Sequence, residues 1–419
     1  MSYALEIRAS EICTEFTLKG LSQKSSFLAV IALLCYTVQM HRLIDELEAV
    51  EDPRIGNAKK HKLGDILFIA IAAGVADADT WNQIEDYAIE HEEFFRQYLE
   101  LPAGIPSHDT FNRVFAIMDP VVLEKNYQNW IRQFVKIKEG SIISIDGKTI
   151  RGAGSKEDEG HAHMLSACLS DEGISLGQLN VDKKTNEITV IPQLLDMLDI
   201  KGCIVTADAM GCQKEVVRKI VKEKKASYVL AVKDNQKSLH EQILETAKMV
   251  RPSSVFTEVD AGHGRVEERV YRIYRNLSFV TGVWNWEKLS ALVVVESKRY
   301  NKKKQTESTE KRCYITNLPK GSSATIAHAI RNHWQVESMH WVLDVVFGED
   351  ACRKRVYNAA ENYSRMMKVV LSLLRNHKKK SGGTKSLARM RKQAAWNTRV
   401  LEEILFSAFG AKNETAESQ

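Results

Sequence analysis

Asp146 ends an apolar run, Ile142-Ile143-Ser144-Ile145, and is followed at once by Gly147-Lys148-Thr149-Ile150-Arg151-Gly152. A carboxylate at a strand tip, beside two cations, suits a metal ion and a phosphate. A second strand-like run, Ile204-Val205-Thr206-Ala207, ends the same way at Asp208, and a third acid, Glu337, lies in the helical-looking stretch His333 to Trp341. If the two strands are neighbours, the two aspartates come side by side; at ~4 Å and an effective dielectric near 20, two carboxylates repel by about 4 kcal/mol. Such a trio is tolerable where protons are shared or cations bound, and hard oxygen donors without a His or Cys partner favour Mg²⁺, with Mn²⁺ as a substitute. Two such ions clamp the attacking and departing oxygens of an in-line displacement at phosphorus. Taken singly, each aspartate is equally at home capping a turn.

Lys148, Arg151 and Lys233 are read just beyond strand ends, where they can hold phosphates. His263, Arg265 and Arg269 alternate with period two along a strand, which presents one basic face to DNA or anchors a turn through salt bridges. Asp344 lies seven residues after Glu337 on the same helix face and rivals it as third ligand. Trp334 and Trp341, also seven apart, are read as core.

These residues need a scaffold. With 419 residues, 44% hydrophobic and 27% charged, the chain has a globular composition and length for more than one core. Its net charge of +5 decides little, but its distribution does: from Arg353 to Arg399 there are fourteen Lys and Arg against one acid, Glu361. That local field predicts a polyanionic partner. Seven scattered cysteines without a Cys-x-x-Cys pair disfavour zinc and disulfides and point to a reducing cytoplasm. The apolar stretch Phe27 to Val38 spans as a helix roughly 18 Å, too short for a hydrocarbon core of ~30 Å. Glu6, Glu11 and Glu15 ahead of it spoil the basic leader of a signal peptide. No membrane role is expected.

Helical spacing from Lys62 to about Tyr98, then a helix after Ser107, predicts an all-helical N-terminal domain. Strands are predicted at Ile142 to Asp146, Met164 to Leu169 and Ile174 to Val181, the last two joined by the Asp171-Glu172-Gly173 turn. A helix from Ile191 to Leu198 with Pro192 in its first turn, a strand Ile204 to Ala207, a helix Glu215 to Lys224 and a strand Tyr228 to Val232 follow. The order β-β-β-α-β-α-β is a mixed α/β sheet with flanking helices. After a helix near Leu239 to Val250 come β-rich runs at Val266 to Tyr274, Leu289 to Val295 and Arg312 to Thr316, with Ser297 to Lys311 an exposed hairpin or loop. Helical spacing resumes at Thr325 and carries Glu337. The expected domains are a hydrophobic extension over 1–39, a helical DNA-binding domain over 40–135, a core over 136–238, a β-rich insertion over 239–322, a core helix over 323–350 and a basic helical tail over 351–419.

From Met40 to about Arg399 the chain resembles the H-repeat-associated proteins, a branch of the bacterial insertion-sequence transposases. The resemblance rests on Gly104 through Thr110, Ile145 through Thr149, Asn186-Glu187-Ile188-Thr189 with Ile191-Pro192, Thr206 through Lys214, Val232-Lys233 with Asn235-Gln236, His263-Gly264-Arg265, and Ile330 through Asp344. It implies a ribonuclease-H-like core with Asp146, Asp208 and Glu337 as the DDE metal-binding acids. It further implies nicking at an element end and attack of the freed 3′-hydroxyl on target DNA, with Mg²⁺ as cofactor. Double-stranded DNA, as element ends and target, is then the partner, contacted by Lys148, Arg151, Lys233, His263, Arg265, Arg269, Arg331 and His333 in a homodimer associated with the nucleoid. The broader group surrounds the third acid with Tyr-x2-Arg-x3-Glu-x6-Lys, where this chain has Ile330, His333 and Asp344. His333 is the candidate to replace the missing arginine. Asp234 is a second departure, standing where relatives often carry Gly. A nuclease without strand transfer, and an inactive remnant that only binds DNA, stay open as readings.

Overall fold

The computed structural model describes residues 43–56, 59–133, 135–153, 162–181, 186–262, 264–303 and 305–406. Phe27 to Val38, the extension over 1–39 and the end of the chain after Phe406 lie outside these residues. By contact the chain forms two compact units, one of residues up to Val135 together with those from Tyr357 onward, the other of Lys136–Val356.

The first unit begins with α1 (Leu63–Val75), buried on every side because Asp65 is the one charged residue in its sequence. In α2 (Trp81–Glu90) the Thr80 hydroxyl accepts from the Gln83 N–H and the Gln83 side chain accepts from the Thr80 N–H, so both start-of-helix donors are met. A short α3 (Glu92–Phe95) leads to α4 (His108–Ile117) and α5 (Pro120–Ile131). Ser107 precedes α4 as expected, but its hydroxyl meets Thr110 Oγ1 at 3.2 Å instead of a helix N–H.

The second unit is built on β1 (Ile142–Ile150), β2 (Ala162–Leu169) and β3 (Ile174–Asn180), an antiparallel meander, followed by α6 (Glu187–Asp196), β4 (Ile204–Ala207), α7 (Lys214–Arg218) and β5 (Ser227–Val232). β1, β4 and β5 pair in parallel, and all four residues of β4 are buried, as strands covered on both faces require. β1 runs four residues past Asp146, so that aspartate is inside a strand and not at its tip. α6 starts at Glu187, not Ile191, because the Asn186 side chain accepts from the Thr189 N–H at 3.2 Å; Pro192 therefore falls inside the helix.

Next come α8 (Lys237–Met249), β6 (Ser254–Gly262), β7 (Arg265–Tyr274), β8 (Ala291–Asn301) and β9 (Thr306–Thr316). These four strands continue the core sheet, which has nine strands in the order β3-β2-β1-β4-β5-β9-β8-β7-β6. β9 pairs antiparallel with β5, so the expected insertion over 239–322 extends the core sheet. Ser297 to Lys311 is the β8–β9 hairpin. α9 (Ser323–Asn332) lies across both halves: Ile326, Ala327, Ala329 and Ile330 share one apolar cluster with Ile142, Ile204, Val229, Tyr271 and Val293. The chain breaks at His333 and resumes as α10 (Trp334–Val345).

The basic tail returns to the first unit as α11 (Ala359–Ser381), α12 (Leu387–Trp396) and α13 (Thr398–Phe406). α11 packs so closely on α1 that a Cβ at Gly74 would lie 3.1 Å from Val370 Cγ2. Part of the basic run is internal: Arg365 is buried against Glu124 and the Tyr127 ring, and Arg391 is buried against Asp77 and Asp79. Lys379, Lys380, Lys385, Arg389 and Lys392 remain exposed. Cys168, Cys203, Cys212, Cys313 and Cys352 are buried free thiols, and no described helix is long and apolar enough to cross a membrane.

Candidate active site

The last registered pair between parallel β1 and β4 is Ile145 with Ala207. Asp146 and Asp208 come next, so strand register puts them on adjacent backbone positions. Asp208 also caps the turn Ala209–Gly211, accepting from the Met210 N–H at 2.9 Å. Burial pushes its carboxyl above the ordinary value, and the charges of Asp146 and Glu187 push it further, against the pull of the Gly211 and Met210 N–H groups. Glu337, in the first turn of α10, is also raised by burial and then by Asp146, with Arg312 and Lys233 opposing and Asp208 adding to the rise. Three acids from three elements thus act on one another.

Helix geometry explains how α10 presents Glu337. Val336, Met339, His340 and Leu343 fill the interior, while Trp334 and Trp341 are 40% and 60% exposed and flank Glu337 at three and four residues' distance. The expectation that both tryptophans are core is corrected. On the buried side, His340 Nδ1 is 3.3 Å from Asp146 Oδ2, and its Nε2 has no partner among the described residues.

Several expected DNA-contacting cations stand elsewhere than sequence suggested. Lys148 is inside β1 and buried, with Nζ 2.6 Å from Asp344 Oδ1 and paired also to Glu349. It is not a free phosphate anchor, and Asp344 is held by it. His333 Nδ1 is 3.0 Å from Thr206 Oγ1, the end of a buried hydroxyl chain through Ser144 and Ser170. Burial pushes His333 below its ordinary value despite the nearby Asp146 charge, so at neutral pH it lacks the charge of the arginine it replaces. Arg151 follows β1 and is exposed, with its backbone N–H donating to Asp350 Oδ1 at 3.0 Å. Lys233 is exposed just after β5 and is felt at Glu337.

His263 lies outside the described residues. The face of β7 that carries Arg265 and Arg269 also carries Glu267, since all three differ by two, and Arg269 is covered by Glu267 at 2.7 Å and Glu258 at 3.4 Å. The expected uniformly basic face is therefore mixed. Arg331 pairs with Asp260 at 3.2 Å, while Arg265 is exposed. A cleft of about 430 Å³ runs here, lined in part by Arg265, Arg269, Arg299, Arg312, Arg331 and Trp334. Arg312, over the Trp334 ring at 5.4 Å, links that cleft to Glu337.

Sequence reasoning missed Arg312, His340, His163 and Glu187. His340 and Glu187 lay within quoted motifs; for Arg312, one charged residue in a polar hairpin, no pattern marked it. His163 Nε2 is 2.7 Å from Glu187 Oε1, and its Nδ1 is 2.8 Å from Thr149 Oγ1.

The donor chemistry fits a hard divalent ion. The acids are carboxylates that raise one another's pKa, and His340 offers a buried, unpartnered nitrogen beside them. No three His, Cys, Asp or Glu among the described residues stand as a closed ligand group. Like charges hold one another apart.

Residues 137–373 match the family described as Transposase DDE domain, and residues 44–131 match DDE_Tnp_1-associated. "Putative transposase YncI" of Escherichia coli O157:H7 is 42% identical over 379 residues, 88% of this chain and 96% of its own. "H repeat-associated putative transposase YhhI" of Escherichia coli (strain K12) is 35% identical over 378 residues, 88% of this chain and 98% of its own. A cryo-EM structure of the piggyBac transposase synaptic complex with hairpin DNA aligns over 91% of this chain and 82% of that one, at 13% identity and a TM-score of 0.44, and no argument rests on it.

Proposed function

This chain belongs to the DDE-type insertion-sequence transposases, the family of its H-repeat-associated relatives, and we propose that it nicks DNA at the ends of a mobile element and joins the freed 3′-hydroxyl to target DNA. Its core is read as ribonuclease-H-like. The order β3-β2-β1-β4-β5, antiparallel in the first pairs and parallel in the last, supports this, with acids on β1, after β4 and on a later helix.

Asp146, Asp208 and Glu337 would hold Mg²⁺ or Mn²⁺, which when bound polarises a phosphate and neutralises its charge. The chain's own residues supply the positioning. His340 steadies Asp146 from the α10 side. Arg312 and Lys233 put positive charge beside Glu337, where a scissile phosphate needs it. Exposed cations such as Arg265, Arg151, Lys379 and Lys380 are read as contacts to the DNA backbone, which fix orientation without reading sequence.

The observation that carries the reading is the coupling of Asp208 and Glu337 to each other and to Asp146. The test is a reaction on duplexes bearing candidate terminal repeats, with a separate target duplex and Mg²⁺ or Mn²⁺. Both a nicked strand and a joined product are expected. Nicking without joining would indicate a nuclease, and salt-sensitive binding with neither product would indicate a remnant.

A further inference from the structure

We infer that Glu187, held by His163 and Thr149, is a fourth carboxylate of the acid site and strengthens its grip on a divalent cation. This rests on the reading of Asp146, Asp208 and Glu337 just given.

The holding chain starts in the sheet. Thr149 on β1 and His163 on β2 are register partners, and their side chains meet at 2.8 Å. With the Thr149 hydroxyl donating to Nδ1, the imidazole proton sits on Nε2 and is donated to Glu187 Oε1, 2.7 Å away. A neutral imidazole leaves the full negative charge on the carboxylate. Glu187 is the first residue of α6, fixed by the Asn186 cap, so its backbone is anchored as firmly as its head group.

The pair lies against the acid site. A Cβ at Gly147, the residue after Asp146, would overlap Glu187 Oε1 and come within 2.7 Å of His163 Nε2. Only glycine leaves that space. On the neighbouring strand, Asp208 feels the Glu187 charge after that of Asp146. The side chains of His163 and Glu187 are 28% and 20% exposed, which separates them from freely solvated surface acids. Across the site, His340 is more than nine-tenths buried against Asp146 with Nε2 unpartnered among the described residues, so the polar shell there lacks a ligand as well.

A histidine that clamps a carboxylate beside a cation site orients it, and loss of such a partner typically lowers metal affinity about 10- to 100-fold. A purely architectural pair would instead affect folding whether or not metal is present.

The two roles separate in a Mn²⁺ titration of the full chain followed by its thermal midpoint, comparing wild type with E187Q, E187D, H163Q and D208N. Wild type shifts upward and D208N does not. E187Q needs about tenfold or more Mn²⁺ for the same shift, yet without Mn²⁺ it is as stable as wild type, since one like charge is gone. E187D, which keeps the charge, recovers part of the response, and H163Q falls between. An E187Q that responds at the wild-type concentration while D208N does not overturns this inference alone. An E187Q destabilised equally with and without Mn²⁺ also overturns it. A wild type with no shift overturns both this inference and the acid site beneath it.

Discussion

Lys148 Nζ stands 2.6 Å from Asp344 Oδ1 in the interior of the second unit, and Glu349, 1% exposed, pairs with the same ammonium. Burial alone would lower the lysine, but Glu349 and Asp344 together hold it above its ordinary value. The contact ties β1 to the helix that carries Glu337. Replacing Lys148 by Met leaves Glu349 charged and buried, and should cost about 3–5 kcal/mol in chemical denaturation. The salt dependence of DNA binding should not change. A variant of normal stability with a shallower salt slope would return Lys148 to the role of phosphate contact.

The same contact separates two acids on α10. E337Q removes a charge that Asp146 and Asp208 oppose, so metal-free stability should hold while the Mn²⁺-induced rise in thermal midpoint disappears. D344N weakens the Lys148 pair and should do the reverse. Exchange of these two outcomes would make Asp344 the third ligand.

Arg391 carries a prediction for the helical unit. It is fully buried, with Nη2 2.6 Å from Asp79 Oδ1 and Nη1 3.0 Å from Asp77 Oδ1, and Nη2 donates to the Gly74 carbonyl at 2.8 Å. R391A should destabilise the unit by about 3 kcal/mol or more, read in urea unfolding. A purely DNA-contacting arginine would leave the unfolding midpoint alone.

Asp65, 3% exposed in α1, sets a pH dependence. Burial, with Glu48 and Glu100 adding to it and Lys62 opposing, raises its carboxyl from 3.8 to about 6. A folded value above the unfolded one means stability complete below pH 3.8 and lost as pH rises through about 6. D65N should therefore exceed wild type by on the order of 2 kcal/mol near pH 8 and lose that advantage near pH 4. Thermal midpoints across that range check it; parallel curves would contradict it.

How much of this was legible in the sequence depends on how local the cause is. The β1 and β4 runs, the Asp171-Glu172-Gly173 turn and the helix bearing Glu337 follow from patterns within a dozen residues, and the structure has them. The edge strand β6 went unread because most of its residues face solvent and its apolar alternation is weak. The α6 start was misplaced because Pro192 outweighed the Asn186 cap. Long-range pairings left no trace: nothing near Lys148 announces Asp344 and Glu349, and nothing near Arg391 announces Asp77. For the same reason the basic run looked like a separate tail, although Arg365 and Arg391 are interior to the helical unit. Trp334 and Trp341 misled because a seven-residue spacing marks one helix face without saying which way it looks.

The most direct measurement is strand nicking on terminal-repeat DNA with Mg²⁺ or Mn²⁺ by wild type, D146N, D208N and E337Q, each first shown to be folded. The three acids acting as one site predict nicking by wild type and background cleavage by each variant. Nicking that persists undiminished in the variants would contradict that account.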